Sequence, residues 1–198
     1  MKHVAIKLFG VAAFVLMLGA ADAQQSSLGS YDVELIVFRN LSSNATPEDW
    51  AQETDITPHD TPEDETEVPV AAAPVEATES FPELPASKFK LTAIADSLRR
   101  SRGYQPLAHF GWTQPGFPWG EHHYLSIDSQ VVAGSGLSGR VSLSRGRYLH
   151  LTVDLTLEAA GSNERYVLRQ TRRMRSSERH YIDHPKFGVI AVVTPSGG

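Results

Sequence analysis

The sequence contains no cysteine among its 198 residues. This absence excludes a disulfide framework, a thiol nucleophile, a cysteine-rich zinc site and an iron–sulfur cluster. Small exported domains often depend on disulfides because their cores are limited in size. If the chain is exported, burial of apolar side chains or a partner has to stabilise its folded part.

The chain also lacks an apolar run long enough to span a membrane. Its longest one, from Leu8 to Ala20, is short of the roughly 20 residues that a spanning helix needs. Lys2 and Lys7 flank its start, and Ala21-Asp22-Ala23 supplies the small-x-small pattern that signal peptidases accept. We therefore predict a signal peptide over residues 1–23, cleaved after Ala23, and an exported chain without stable membrane insertion. With no cysteine after the cleavage site, a lipoprotein anchor is excluded.

Lysine and arginine are absent between Leu41 and Ala86, where there are twelve acidic residues. The segment is rich in proline, alanine and threonine and has no sustained periodicity, so it buries too little apolar surface to offset its ordering entropy. We predict that this acidic insert, residues 41–86, is mostly disordered, with Trp50 docked onto the domain. From Ser87 onward, fifteen Lys and Arg outnumber eight Asp and Glu. Such a basic balance indicates either an anionic partner or simply a solvated surface.

The remaining patterns predict an α+β domain made of residues 31–40 and 87–198. The segment from Tyr31 to Phe38 is β-branched and aromatic and ends in an apolar run, which predicts a strand in the interior of a sheet. Apolar residues at helical spacing predict a helix from Ser87 to Gly103. Further strands are predicted over 104–112, 140–144, 147–158, 165–177 and 189–193, with a short one within 121–127 and an irregular or single-turn element over 181–187. We expect an antiparallel sheet with one main helix packed on a face and the long acidic insert after the first strand.

The clearest pattern is the alternation of apolar and polar residues between Arg147 and Glu158, which is typical of a strand with one buried and one wet face. In the next predicted strand, alternation places Arg169, Thr171, Arg173 and Arg175 on one face. If the wet faces match, these residues lie beside His150, Thr152 and Asp154. Guanidinium groups suit carboxylates and phosphates, and aromatic rings suit the apolar faces of sugars. The alternative is a solubilising face with cross-strand Arg–Asp pairs. The candidate ligand-binding residues are Tyr148, His150, Arg169, Arg173, Arg175, His180 and His184.

Two other motifs are weaker. Gly134 to Gly139 matches GxGxxG, but that motif requires a helix directly after it, and the following residues predict strands. His180 and His184 have the spacing of two metal ligands on a helix, but Pro185 disfavours the helix and no third ligand is evident. We therefore predict no cofactor and no metal. No serine stands in a nucleophile-elbow pattern, although a triad assembled from distant positions stays open.

Three segments resemble the CsiV family of periplasmic peptidoglycan-binding proteins. They are YDVELIVFRN at the first strand, RYLHLTVDL in the middle, and RRMRSSERHYIDHPKFGVIAVVTP at the end, and the resemblance covers the ordered parts from Tyr31 to Pro195. It implies a non-enzymatic role in the periplasm of a Gram-negative bacterium. That role is binding the cell wall and supporting a class A penicillin-binding synthase through its envelope activator.

Two alternatives from other functional classes stay open. One is an envelope adaptor that binds a protein partner without binding the wall. The other is a peptidoglycan hydrolase that uses His150, Asp154 or the His180 and His184 pair. Nucleic acid is not an expected partner of an exported domain.

Overall fold

The computed structural model describes residues 29–41, 79–161 and 163–197, and the fold is stated for these residues alone. The predicted signal peptide, the predicted position of Trp50 and residues 42–78 of the insert lie outside them. A 3-10 turn at Ala86–Lys88 precedes the helix. The elements are β1 (Ser30–Asn40), α1 (Thr92–Arg100), β2 (Tyr104–Pro115), β3 (Leu125–Ser126), β4 (Leu137–Arg145), β5 (Leu149–Glu158), β6 (Arg165–Met174), β7 (Arg179–Asp183) and β8 (Phe187–Pro195).

The strands form two four-stranded antiparallel sheets rather than a single sheet. Sheet I has the order β2-β1-β8-β7, and sheet II has the order β3-β4-β5-β6. One hydrophobic cluster contains buried residues of β1, β2 and β8 together with buried residues of β4, β5 and β6, so the two sheets pack face to face. The prediction of an antiparallel α+β fold is confirmed. Its single sheet is replaced by two because β1, β8 and β5 each carry an apolar row that needs a facing layer.

Strand β1 lies in the interior of sheet I, as its apolar run predicts, because it pairs with β2 on one side and β8 on the other. Val33, Leu35 and Val37 are completely buried between the sheets. Ile36 and Phe38 point to the opposite side and pack against the helix layer. Both faces of β1 are therefore covered, which explains the lack of a polar face near its end.

Strand β5 has the alternation that the sequence predicts. Its buried apolar residues belong to the core between the sheets, and they are Leu149, Leu151, Val153, Leu155 and Leu157. Burial of such an aliphatic side chain contributes roughly 1.5–3 kcal/mol. The residues between them therefore point to the outer side of sheet II.

Helix α1 begins at Thr92, five residues after the predicted start, because Ala86–Lys88 form a separate 3-10 turn. Its buried residues, Ala95 and Leu98, pack on Ile36 and Phe38 of β1. The helix thus covers the outer face of sheet I, as expected of one main helix on a sheet face.

A buried carboxylate on β1 holds the start of this helix. Glu34 is 2% exposed and accepts hydrogen bonds from the backbone N–H groups of Lys90 (2.6 Å) and Leu91 (3.1 Å). Its Oε1 also lies 2.7 Å from Nε2 of His109 on β2. Leu91 occupies the N-cap position and has no side chain able to cap, so Glu34 supplies the acceptor from another element.

Asp32, two residues earlier on β1, holds the preceding turn in the same way. Its carboxylate accepts a hydrogen bond from Thr113 (2.7 Å) and contacts Nζ of Lys88 (3.4 Å). Burial alone raises the pKa of Asp32, but the hydrogen bonds from Thr113, Ser196 and Lys88 outweigh it and lower the pKa below 3.8. The two acids of β1 therefore fix residues 88–91 against sheet I.

Residues 79–86, which the sequence assigns to the mostly disordered insert, are ordered along β2. The Leu84 N–H donates to the Gly111 carbonyl, the Thr113 N–H donates to the Pro82 carbonyl, and Leu84 is buried. A side chain at position 111 would place its Cβ 3.0 Å from Cδ2 and 3.1 Å from Cβ of Leu84. Glycine at this position therefore permits the close approach of the segment to β2.

The prediction of an irregular element over 181–187 is wrong for its first half, where β7 pairs with β8 at the edge of sheet I. Only Ile182 of β7 is buried, so a five-residue edge strand shows almost no apolar periodicity. Its pairing with β8, rather than its own pattern, determines its conformation.

Replacing Glu34 by alanine is expected to lower the free energy of unfolding by about 3 kcal/mol, since the substitution leaves His109, the buried N–H of Leu91 and the partly buried N–H of Lys90 without their acceptor. Urea unfolding of the purified chain measures this value. Glu158→Ala is the matched control, because Glu158 is exposed and its ion pair with Arg165 is long (3.7 Å), so we expect a change below about 0.5 kcal/mol. Equal effects of the two substitutions would contradict the capping role of Glu34.

Candidate ligand-binding face

The outer face of sheet II carries three rows of side chains, each contributed by β4, β5 and β6. The cross-strand register places Ser144, His150 and Arg173 in the first row, Ser142, Thr152 and Thr171 in the second, and Arg140, Asp154 and Arg169 in the third. Because cross-strand partners lie on one side of a sheet, all nine point away from the core. We call these nine residues, together with Trp119 and Tyr148, the outer face.

Asp154 joins two arginines in the third row. Its Oδ1 lies 3.2 Å from Nε of Arg169, and its Oδ2 lies 3.3 Å from Nε of Arg140. The side chain of Arg169 is 64% exposed, so solvent screens its pair and the bond adds little stability. The carboxylate orients the two guanidinium groups and leaves the row with a net positive charge.

Aromatic rings lie at the other end of the face. The ring centroids of Trp119 and His150 are 3.7 Å apart, and the guanidinium carbon of Arg173 lies 4.7 Å from the ring centroid of Tyr148. An arginine over a tyrosine ring is held by a cation–π interaction while its N–H donors stay directed outward. Arginine and aromatic groups are therefore presented side by side.

The middle of the face is lined by hydroxyl groups. Thr152 and Thr171 share a hydrogen bond of 2.9 Å. Ser142 and Ser144 are each 1% exposed, and within the described part of the chain neither Oγ atom has a hydrogen-bond partner. Two such buried hydroxyl groups on one strand are unusual, because buried polar groups of native sheets are generally hydrogen-bonded.

Four of the seven predicted site residues meet on this face: Tyr148, His150, Arg169 and Arg173. The wet faces of β5 and β6 do match, so Arg169, Thr171 and Arg173 lie beside His150, Thr152 and Asp154, as the sequence predicts for that case. Whether the face binds a ligand stays a prediction at this point.

The other three predicted site residues lie elsewhere. Arg175 is one residue beyond the end of β6, in the turn to β7, with its guanidinium 3.8 Å from Glu178. His180 is on β7 and accepts a hydrogen bond from the Arg175 backbone N–H, and His184 accepts one from the Lys186 backbone N–H. The two histidines therefore stabilise turns at the β7 end of the molecule.

Sequence reasoning missed Trp119, Arg140 and the serines of β4. Trp119 lies outside every strand and helix that the sequence predicts, and nothing in the sequence shows that its ring packs on His150. Arg140 and Ser142 lie on a predicted strand, but their position beside Asp154 and Thr152 depends on the register of β4 with β5.

The described residues contain neither a metal-binding group nor a membrane-spanning helix. No group of three or more His, Cys, Asp or Glu side chains in this part of the chain is placed to hold a metal ion. None of its helices is long and apolar enough to cross a membrane. The Gly134 to Gly139 motif leads directly into β4, so the helix that a dinucleotide site requires does not follow it. Gly139 instead allows close pairing, since a Cβ there would lie 2.2 Å from the Asp154 carbonyl oxygen.

Acid is expected to destabilise the domain through the two turn histidines. Burial lowers the pKa of His180 and His184 below the ordinary value of 6.5, with Arg172 and Lys186 acting in the same direction. The unfolded chain therefore binds more protons than the folded one once the pH falls below about 6.5, and stability is lost there. Urea unfolding at about pH 7.5 and pH 5.5 measures the loss.

The double variant His180→Gln, His184→Gln should show a smaller loss between these two pH values. It should not abolish the loss, because burial also lowers the pKa of His122. An unchanged pH dependence in the variant would show that other groups control it.

Comparison with known proteins identifies the family. The family model described as "Peptidoglycan-binding protein, CsiV" matches residues 6–196, a range that includes every strand and the helix described above. No curated protein and no solved structure shows significant similarity to the chain. The match confirms the resemblance carried by the first strand and by the arginine-rich C-terminal segment. The chain belongs to the CsiV family of peptidoglycan-binding proteins.

Proposed function

We propose that the chain binds peptidoglycan through the outer face of sheet II. The observation that carries the proposal is the placement of Arg169 and Arg173 on the same exposed side as Trp119 and Tyr148. Peptidoglycan offers both of the matching chemical groups, since its stem peptides carry carboxylates and its glycan strands expose apolar sugar faces. Guanidinium groups bind carboxylates through paired hydrogen bonds, and aromatic rings pack on apolar faces.

The arginines of this face should make the affinity for an anionic polymer depend on the salt concentration. Arg169 and Arg173 are both exposed, and their partners within the sheet, Asp154 and Tyr148, orient them without covering them. Charges in such a setting are screened by salt over about 8–10 Å. Binding to an anionic polymer through them should therefore weaken as ionic strength rises.

We place the protein in the periplasm as a non-enzymatic accessory factor. The N-terminal pattern of residues 1–23 and the family resemblance support export to this compartment. The same resemblance supports a role in cell-wall synthesis by a class A penicillin-binding synthase, reached directly or through its envelope activator. The proposal assigns no catalytic residue.

The first experiment is co-sedimentation of the mature chain, residues 24–198, with protein-free sacculi. We expect saturable pelleting that declines with added salt, and no soluble muropeptides in the supernatant. Released muropeptides would instead establish a hydrolase, and their loss with a chelator would point to a metal. If the chain does not pellet at low salt, direct wall binding is wrong, and binding to the purified synthase becomes the decisive measurement for an adaptor.

The double variant Arg169→Ala, Arg173→Ala is expected to bind sacculi about tenfold more weakly at low salt, because each arginine offers charge-assisted hydrogen bonds. Its unfolding midpoint should stay near that of the unchanged chain, since both side chains are exposed. Pelleting assays at several salt concentrations measure the affinity.

Arg172→Ala is the matched control for this variant. Arg172 is an exposed arginine of the same strand, but it pairs with the inward-facing Leu151 and so lies on the other side of β6. Its replacement removes one positive charge without touching the outer face. If Arg172→Ala weakens binding as much as either single substitution on the face, overall charge rather than this face determines binding.

A further inference from the structure

Strand β7 forms an edge of sheet I that no other strand of the described residues covers. Its only strand partner is β8, and the pairing runs without a register shift from Arg179 to Asp183. The opposite edge, β2, is covered, because residues 82–84 exchange hydrogen bonds with it. Strand β7 contains neither a proline nor a bulge, which are two of the common devices that protect an exposed edge. This edge is therefore open to pairing with a further strand.

The hydrogen bonds of the hairpin between β7 and β8 show which backbone groups point outward. His184 and Phe187 exchange both of their N–H···O bonds, at 3.1 and 3.2 Å. In an antiparallel pair of strands, such hydrogen-bonded pairs alternate with non-hydrogen-bonded ones. By the observed register, Arg179, Tyr181 and Asp183 occupy the non-hydrogen-bonded positions. Their N–H and C=O groups therefore face away from β8, and no backbone group of the described chain is bonded to them.

The side chains of the same three residues are exposed and lie on one face of the strand, in the order cation, aromatic ring, anion. Tyr181 is 49% exposed. Its ring stacks on Phe38, with the ring centroids 6.1 Å apart, and its hydroxyl donates a hydrogen bond of 2.5 Å to Asp183. A Cβ at Gly188 would lie 2.7 Å from this ring, so glycine provides the space for it. The tyrosine ring is therefore held in place beside the open edge.

This order is complementary to itself when two copies of the strand run antiparallel. If Tyr181 of one copy lies opposite Tyr181 of a second copy, Arg179 of each copy lies opposite Asp183 of the other. These are the three positions whose backbone groups face outward. The register that pairs opposite charges is therefore also the register that pairs the open N–H and C=O groups. A two-fold axis relates the two copies, as in most dimers of identical chains.

The exposed edge of sheet II lacks this property. Strand β6 also pairs on one side only, with β5. All of its charged residues are arginines, at positions 165, 169, 172 and 173. Pairing two copies of β6 would bring arginines of one copy close to arginines of the other, and such like-charge contacts are destabilising. The distribution of charge thus favours β7 over β6 as the edge through which the chain associates with itself.

We propose that two copies of the chain form a dimer through antiparallel pairing of β7 with β7, centred on Tyr181. The pairing joins the four strands of sheet I in one copy to the four in the other. Its two-fold axis is perpendicular to the joined sheet, so both copies of sheet II lie on the same side of it. Both outer faces then point in one direction, and the dimer presents them together to one polymer. Association of this kind does not require that the outer faces bind peptidoglycan.

Sedimentation velocity of the mature chain, residues 24–198, over a range of concentrations tests the dimer. We expect a reversible equilibrium between monomer and dimer. Arg179→Asp places two carboxylates opposite each other at both ends of the pairing, and Asp183→Arg places two guanidinium groups there. Each variant alone should raise the dissociation constant of the dimer about tenfold, because repulsion replaces attraction at two cross-strand pairs. Both side chains are exposed, so the Tm of each variant should stay near that of the unchanged chain.

An equimolar mixture of the two variants should form dimers again, because a mixed pair sets an acidic side chain opposite a basic one at both ends. Arg147→Asp is the matched control for the change of charge, since Arg147 is exposed in the turn between β4 and β5 of sheet II. It should dimerise like the unchanged chain. A monomeric unchanged chain, single variants that dimerise as well as it does, or a mixture that stays monomeric would each overturn the pairing.

Discussion

The burial of one side of β5 is the constraint on which the candidate face depends. Five apolar residues of this strand, from Leu149 to Leu157, are held between the sheets. Because side chains of a strand alternate strictly, this burial fixes the outward direction of His150, Thr152 and Asp154. A slip of one residue would put these three into the core and expose the leucines, so the core specifies the register as strongly as it specifies the fold. The packing of the two sheets therefore determines which side chains form the outer face of sheet II.

A second constraint is the set of hydrogen bonds that fixes the helix layer against the two sheets in the absence of a disulfide. The buried Glu34 carboxylate meets two backbone N–H groups at the start of α1 and Nε2 of His109 on β2. Desolvation of a carboxylate is costly, and it is tolerated when every acceptor position is satisfied. Here one side chain links three elements that are far apart in the sequence. Apolar packing of α1 on Ile36 and Phe38 is not directional and does not fix the position of the helix along the sheet. The hydrogen bonds of Glu34 are directional, and they do fix it.

The sequence predicts those elements whose conformation follows from a local residue pattern. It does not predict those whose conformation depends on tertiary contacts. The alternation of β5 and the short connection to β6 were sufficient to predict that Arg169 and Arg173 lie beside Asp154 and His150. The interior position of β1 followed from its apolar run. Strand β7 was not predictable, because its pairing with β8 rather than its own periodicity defines it. The division into two sheets and the return of Trp119 over His150 are likewise set by contacts distant in sequence.

The outer face differs from sheet I in how its buried polar side chains are hydrogen-bonded. The buried acids of β1, Asp32 and Glu34, have hydrogen-bond partners within the domain. On β4, two buried serines have none among the described residues, while the neighbouring threonine pair is satisfied. Folding alone gives no reason to keep hydroxyl groups there, since alanine would pack in the same space without the desolvation penalty. Departures from local rules of this kind are concentrated at functional or strained sites, and these two serines lie on the same face of sheet II as Arg169 and Arg173.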